Sequence, residues 1–263
     1  GLLPGALINN KNIKFLSKDV ILEVQNDSTV FTNRLKIGDK LLTIPFRVVS
    51  PEISDGQTLN LYGSDSLSVL FEASFNGRSI QKEITFRGDS YLIKHDFVLR
   101  SLSKGPGVFV VWDGGMRTTE KNLYEELTYS QGYVGQSKEI NDIYLSPSSS
   151  EDVSEKVYFS GKTDWVAIRN KYFINALISK GAVGGELAAR SYLLKQDSFI
   201  PQYSTSLEFE KPSFSVNQFF GPLDVDIISS SKTYLDRIMN FGWLPIQPFS
   251  RSVLWLLKKL HGV

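Results

Sequence analysis

The chain has 263 residues, 41% of them hydrophobic and 22% charged, which is the composition of a folded globular protein rather than a disordered one. Lys and Arg number 29 against 28 Asp and Glu, so the basic excess expected of a nucleic-acid binder is missing. The absence of cysteine removes disulfides, Cys-ligated zinc and thiol nucleophiles, and it fits a bacterial chain.

The N-terminus, Gly1-Leu2-Leu3-Pro4, has neither the basic start nor the apolar core of a signal peptide. It is expected to be the start of a piece of a longer protein. No apolar run approaches the roughly 20 residues a membrane-spanning helix needs. Strands are predicted at Val20 to Val24 and Lys40 to Val49. Alternation then becomes regular. Leu67, Val69, Phe71, Ala73 and Phe75 point one way, and Asn76-Gly77 supplies a hairpin turn. Ile80, Ile84 and Phe86 continue the pattern on the return strand. Tyr91, Ile93, His95, Phe97 and Leu99 share one face of a third strand, which completes an antiparallel meander.

Further strands are predicted at Gly107 to Trp112, Lys156 to Phe159, Asp164 to Arg169, Tyr172 to Ile178, Glu186 to Leu194 and Tyr203 to Phe209. Thr119 to Leu127 reads as a short helix capped by Thr119. Ser146 to Asp152 reads as a flexible loop, and Gly181 to Gly185 as a turn between strands. So many half-polar strands imply an all-β protein built as a large two-sheet β-sandwich, because each sheet must cover its apolar face. Short helices are expected toward the C-terminus. One is capped by Ser230 or Ser231, runs through Tyr234, Leu235, Ile238 and Met239, and stops at Phe241-Gly242.

Catalytic constellations are not apparent. His95 lies among apolar neighbours and reads as a hydrogen-bonded structural histidine, and His261 sits near a helix C-terminus. Glu125-Glu126 and Glu151-Asp152 read as solvated acids, and Asp224 and Asp226 as partners of local backbone. The Gly181 to Gly185 segment lacks the Lys-Ser/Thr ending of a phosphate loop. Asn26-Asp27-Ser28 is a formal glycosylation sequon without meaning in a bacterial chain. No cofactor, metal ion or small-molecule ligand is expected.

The tail is the most informative stretch. Phe249, Val253, Leu256 and Leu260 recur at helical spacing, with Leu254 and Leu257 widening the stripe. Arg251, Lys258 and Lys259 fall on the opposite side, and Trp255 lies at the boundary. An amphipathic helix over about 248–261 accounts for this pattern, lying in a membrane interface or against a partner, or packed back onto its own sandwich. Three basic side chains would add at most roughly 1 kcal/mol each near an anionic surface, so the helix suits a connector better than a sole anchor.

Three blocks resemble the periplasmic domain of the bacterial YidC membrane protein insertases. They are Lys82 to Arg100 with its Arg87-Gly88-Asp89 turn, Trp165-Val166-Ala167 followed by Lys171-Tyr172-Phe173, and Gly221-Pro222 through Phe241-Gly242-Trp243 with the tail helix. The resemblance implies a galactose-mutarotase-like β-supersandwich over 1–218 and a helical segment over 219–263. It implies a non-enzymatic domain on the periplasmic face of the inner membrane, whose partners are translocon components, nascent membrane proteins and the membrane surface. The insertion chemistry itself would lie in other parts of such a protein. A sugar-binding or mutarotase-like sandwich, with His95 as its one interior imidazole, is the alternative.

Overall fold

A computed structural model of the chain describes residues 10–14, 32–38, 40–42, 46–52, 58–99, 107–116, 122–146, 153–195, 198–230, 233 and 235–238. Strands in order are β1 (Asn10–Lys14), β2 (Thr32–Ile37), β3 (Lys40–Leu41), β4 (Arg47–Ser50), β5 (Thr58–Tyr62), β6 (Ser66–Phe75), β7 (Arg78–Arg87), β8 (Leu92–Leu99) and β9 (Val108–Asp113). Helix α1 (Leu123–Thr128) precedes β10 (Gln131–Gln136), β11 (Glu139–Ile143), β12 (Ser154–Arg169), β13 (Phe173–Lys195), β14 (Ser198–Phe209) and β15 (Ser213–Pro222). Helix α2 (Val225–Ser230) and a 3-10 turn (Leu235–Ile238) follow.

The meander forms as its alternation dictates. β6 and β7 pair from Ser66↔Arg87 to Phe75↔Arg78 around the Asn76-Gly77 turn, both of whose residues have positive φ. β7 then pairs with β8, placing Ile80 opposite Leu99 and Ile84 opposite His95. Burial follows the same period, with Val69, Phe71, Ala73, Ile80, Ile84, His95, Phe97 and Leu99 inside.

Thirteen strands form one hydrogen-bonded antiparallel sheet, ten of them along a single path that β13 turns into two wings. Its first part, Phe173 to Ile178, pairs with β15, and its second, Gly184 to Lys195, pairs with β14. β15 continues through β8, β7, β6 and β4, whereas β14 continues through β9, β2 and β3. On its other edge β13 pairs with β12, whose register shifts between Ser160, Thr163 and Trp165. Irregular pairing and small residues let two long strands bend at one level and carry the sheet round a corner.

The wings enclose one core. Ile80, Phe97, Leu99, Phe214 and Val216 from one cluster with Leu35, Val108, Val110, Trp112, Leu207 and Phe209 from the other. Val134, Val166, Leu177 and Leu187 fill the join. The molecule is an all-β two-sheet supersandwich, as its strand pattern predicts.

Several boundaries differ from expectation. The pairs 156–159 with 164–169, and 172–178 with 186–194, are each one continuous strand. The expected turn at Gly181 to Gly185 is therefore strand interior. A Cβ at Gly184 would overlap the Tyr158 hydroxyl, so glycine here marks close packing rather than chain reversal. Lys40 to Val49 divides into two separate strands. Asn122, not Thr119, caps α1, its side chain accepting from the Glu125 amide. The expected strand at 20–24, the sequon at 26–28, and most of the 146–152 loop lie outside the described residues.

By internal contacts the chain divides into Gly1–Pro222 and Leu223–Val263. The boundary expected at 218 falls inside β15. In the second unit Asp224 caps α2, its Oδ1 accepting from the amides of Asp226 at 2.9 Å and Ile227 at 3.3 Å. α2 packs on the 3-10 turn, and Ile228, Leu235 and Ile238 are buried. Ser230 ends a helix rather than beginning one.

Candidate functional site

The most elaborated surface feature is the β12–β13 hairpin with α1 beside it. Asn170 is buried and accepts at Oδ1 from the backbone amides of Tyr172 (3.0 Å) and Phe173 (2.7 Å). Its Nδ2 donates to Glu126 Oε1 at 2.7 Å. One side chain therefore shapes the turn and ties it to α1. Beside it Lys171 pairs with Glu125 at 2.7 Å and lies over the rings of Tyr172 and Tyr129. These contacts raise the Lys171 pKa, the Glu125 hydrogen bond foremost.

The same arrangement leaves Tyr124, Tyr129, Tyr172 and Phe173 exposed together at this end. Four large aromatics beside one neutralised ion pair form an amphipathic rim of the kind enriched at interfaces. Further along β12, Trp165 is fully buried against Gly135, where a Cβ would lie inside the indole. Phe173 pairs with Pro222, the last residue of β15.

The other two sequence blocks are structural at their turns. Gly88 N–H donates to Asp65 O at 3.0 Å, and a Cβ on Gly88 would stand 2.8 Å from the Gly63 carbonyl. Arg87 and Asp89 close the turn with a two-pronged ion pair. At Gly221 a side chain would press on the Tyr91 ring, 3.0 Å away.

His95 lies inside the sandwich, as its apolar neighbours predict. Its Nε2 is 3.1 Å from Gln218 Oε1, and Gln218 Nε2 donates to Asn175 Oδ1 at 2.9 Å. Burial, then the charge of Lys82, holds the imidazole pKa well below its ordinary value. Glu126 departs from expectation: it is fully buried, whereas Glu125 is exposed as an adjacent acid usually is. Glu126, Asn170, Gln218 and Asn175 are organising residues that pattern reading passes over. A polar residue between apolar ones gives no hint of its partner many positions away. Among the described residues no group of acids and imidazoles could hold a metal ion, and no helix is long and apolar enough to cross a membrane.

The tail residues singled out by the sequence, Phe249, Arg251, Val253, Leu254, Trp255, Leu256, Lys258, Lys259 and Leu260, lie outside the described residues, as does His261.

Solved structures similar to the chain include an α-N-acetylgalactosaminidase from Bifidobacterium bifidum, at 10% identity and a TM-score of 0.48, covering 88% of this chain and 38% of that one. Another is a GH36 α-galactosidase from Geobacillus stearothermophilus, at 10% identity and a TM-score of 0.37, covering 76% and 31%. Sequence comparison is far more specific. A membrane protein insertase YidC from Chlorobium phaeovibrioides is 33% identical over 220 residues, covering 76% of this chain and 36% of the relative. One from Chlorobaculum parvum is 31% identical over 256 residues, covering 91% and 39%. The chain thus spans about a third of the length of the curated relatives it matches. The model of the YidC periplasmic domain matches residues 52–256, which contain all three sequence blocks up to Leu256. The chain belongs to the YidC periplasmic domain family, and its curated relatives are named membrane protein insertases.

Proposed function

We propose that this domain serves membrane-protein insertion as a non-catalytic docking element on the periplasmic side of a bacterial inner membrane. Its partners are translocon components or nascent membrane proteins. The observation that carries the reading is the family match over 52–256, with the relatives' common name of membrane protein insertase. The aromatic rim supports it, because Tyr124, Tyr129 and Tyr172 offer rings with polar tips beside Phe173, on α1 and the hairpin that Asn170 ties together. The division into 1–218 and 219–263 is retained as a functional proposal, the second segment acting as connector. In that scheme the helix over 248–261 lies in the membrane interface with Trp255 at headgroup depth and Arg251, Lys258 and Lys259 toward anionic lipid.

Flotation of the chain with vesicles containing anionic lipid tests the connector. Weak association is expected, and replacing Trp255 and Leu256 by Ser should reduce it. Unchanged association would mean that this helix does not meet the bilayer.

A further inference from the structure

The inner face of the β6–β7–β8–β15 wing holds a pair of nitrogens whose chemistry is incomplete. Register sets Lys82 between Phe71 and Phe97, and His95 between Ile84 and Val216, on neighbouring strands. Alternation sends the nearby acids to the other face. There Glu72 pairs with Arg47, and Asp96 with Lys94, while Glu83 is exposed. Among the described residues Lys82 has no carboxylate partner, and its ammonium lies 5.5 Å from the centroid of the Phe97 ring. Burial alone holds its pKa down to about 8.

Beside it His95 is 4% exposed, and its buried Nδ1 has no hydrogen-bond partner among the described residues. Its Nε2 is committed to Gln218, which Asn175 in turn holds. The ring is therefore fixed in orientation with one nitrogen unspent. Lys82 is half-buried; a partly desolvated cation without a counter-ion and an unpartnered buried imidazole nitrogen are both costly, and natural proteins rarely keep either without use.

We propose that Lys82 and His95 form a carboxylate-binding site within the sandwich. One carboxylate oxygen accepts from Lys82 Nζ and the other from His95 Nδ1–H. A single ammonium matches a monoanion better than a dianionic phosphate. The surrounding Phe71, Ile80, Ile84 and Phe97 suit an apolar body attached to that carboxylate. Such a ligand departs from the expectation, drawn from the sequence, that none binds. The carboxylate can come from a free acid or from the C-terminus of an extended peptide, since both present the same group.

Proton linkage gives the site a signature. The structure keeps the imidazole neutral, and with Nε2–H donated to Gln218 Oε1, occupation requires a proton on Nδ1 as well. Binding therefore takes up a proton and weakens as pH rises. No other ionisable group among the described residues faces the pair: β6 contributes Phe71, β15 Val216 and Gln218, and β13 Asn175.

The test is NMR of the whole chain with ¹⁵N-labelled histidine, in which His261 is the internal control. Acetate, octanoate and chloride are titrated at constant ionic strength at pH 6 and pH 8.5. A second arm compares an apolar tripeptide bearing a free C-terminus with its amide. A saturable His95 response to octanoate, showing ring protonation and weakening at least about tenfold at the higher pH, is expected. It should vanish in Lys82→Met and survive in Lys82→Arg, in variants whose amide spectra show an intact fold. Tighter binding of the free-acid peptide than of octanoate would assign the source to a chain terminus, and the reverse to a small acid. Three results would each overturn the proposal: equal His95 responses to chloride and carboxylates, no saturation by any carboxylate, or undiminished binding in folded Lys82→Met.

Discussion

Replacing Asn170 by Asp isolates what ties the exposed hairpin to α1. The substitution keeps an acceptor for the Tyr172 and Phe173 amides but sets a carboxylate oxygen where Nδ2 now donates to Glu126 Oε1 at 2.7 Å. Both residues are buried, Asn170 at 3% and Glu126 at 0% exposure, so water relieves little of the repulsion. Two carboxylates sharing such a site retain a proton against roughly 3–4 kcal/mol, and the variant should lose about that much stability at pH 7.5. The sign follows from linkage. The introduced carboxyl titrates higher in the folded protein than in the unfolded chain. Its penalty is therefore absent in acid and grows as pH rises through the folded value. Asn170→Ala loses all three hydrogen bonds without adding charge. At about 1 kcal/mol for each backbone bond and about 1.5–3 for the one to a charged group, less what water restores at the turn, it should cost roughly 2–4 kcal/mol. Urea unfolding followed by tryptophan fluorescence at pH 7.5 and pH 5 separates the two. N170D should regain most of its loss at pH 5, while N170A should regain little. An N170D variant as stable as the parent at pH 7.5, or one whose deficit ignores pH, would refute the buried link.

Other consequences follow from glycine sites and the buried pair. Gly135→Ala should lower stability by about 2–3 kcal/mol because its Cβ overlaps the Trp165 indole, read as a shift in the urea midpoint. Gly77→Ala, at φ 72° with open space around its Cβ, should cost only about 1 kcal/mol in the same assay. Because His95 is held neutral below its ordinary pKa, the unfolded state binds its proton more readily. Stability should therefore fall as pH drops below about 6.5, and His95→Gln should flatten that slope in acid unfolding curves. The Lys82 pKa near 8 predicts a second slope, with stability rising between about pH 8 and 10.5, which Lys82→Met should remove.

The legible parts of the sequence are those where one physical signal dominates. Strict alternation and Asn76-Gly77 specify β6, β7 and β8 nearly residue by residue. Alternation also predicts that His95 faces inward, although it cannot identify Gln218, 123 positions away, as the partner. β15 carries a weaker signal, because Gln218 occupies its third inward position and Phe219 and Phe220 face opposite ways. β12 and β13 read as fragments because small residues and register shifts usually separate strands, whereas here they bend them. α1 begins later than expected because both Thr119 and Asn122 qualify as caps, and only the Asn122 bond to Glu125 N distinguishes them. For the candidate surface, Lys171-Tyr172-Phe173 is visible as a motif. Its anchors Asn170 and Glu126 are not, since their role comes from a contact between elements 44 residues apart.

The central claim is that this domain works by contact at its aromatic end within an insertase. Photo-crosslinking in a full-length insertase carrying this domain tests it most directly. A photoreactive residue is placed at Tyr172 or Tyr124, and at Asn76 in the β6–β7 turn as the comparison. The account predicts adducts with membrane-protein or translocon chains from positions 172 and 124 during active insertion, and few from position 76. Equal labelling from all three positions, or none from 172 and 124 while insertion proceeds normally, would contradict it.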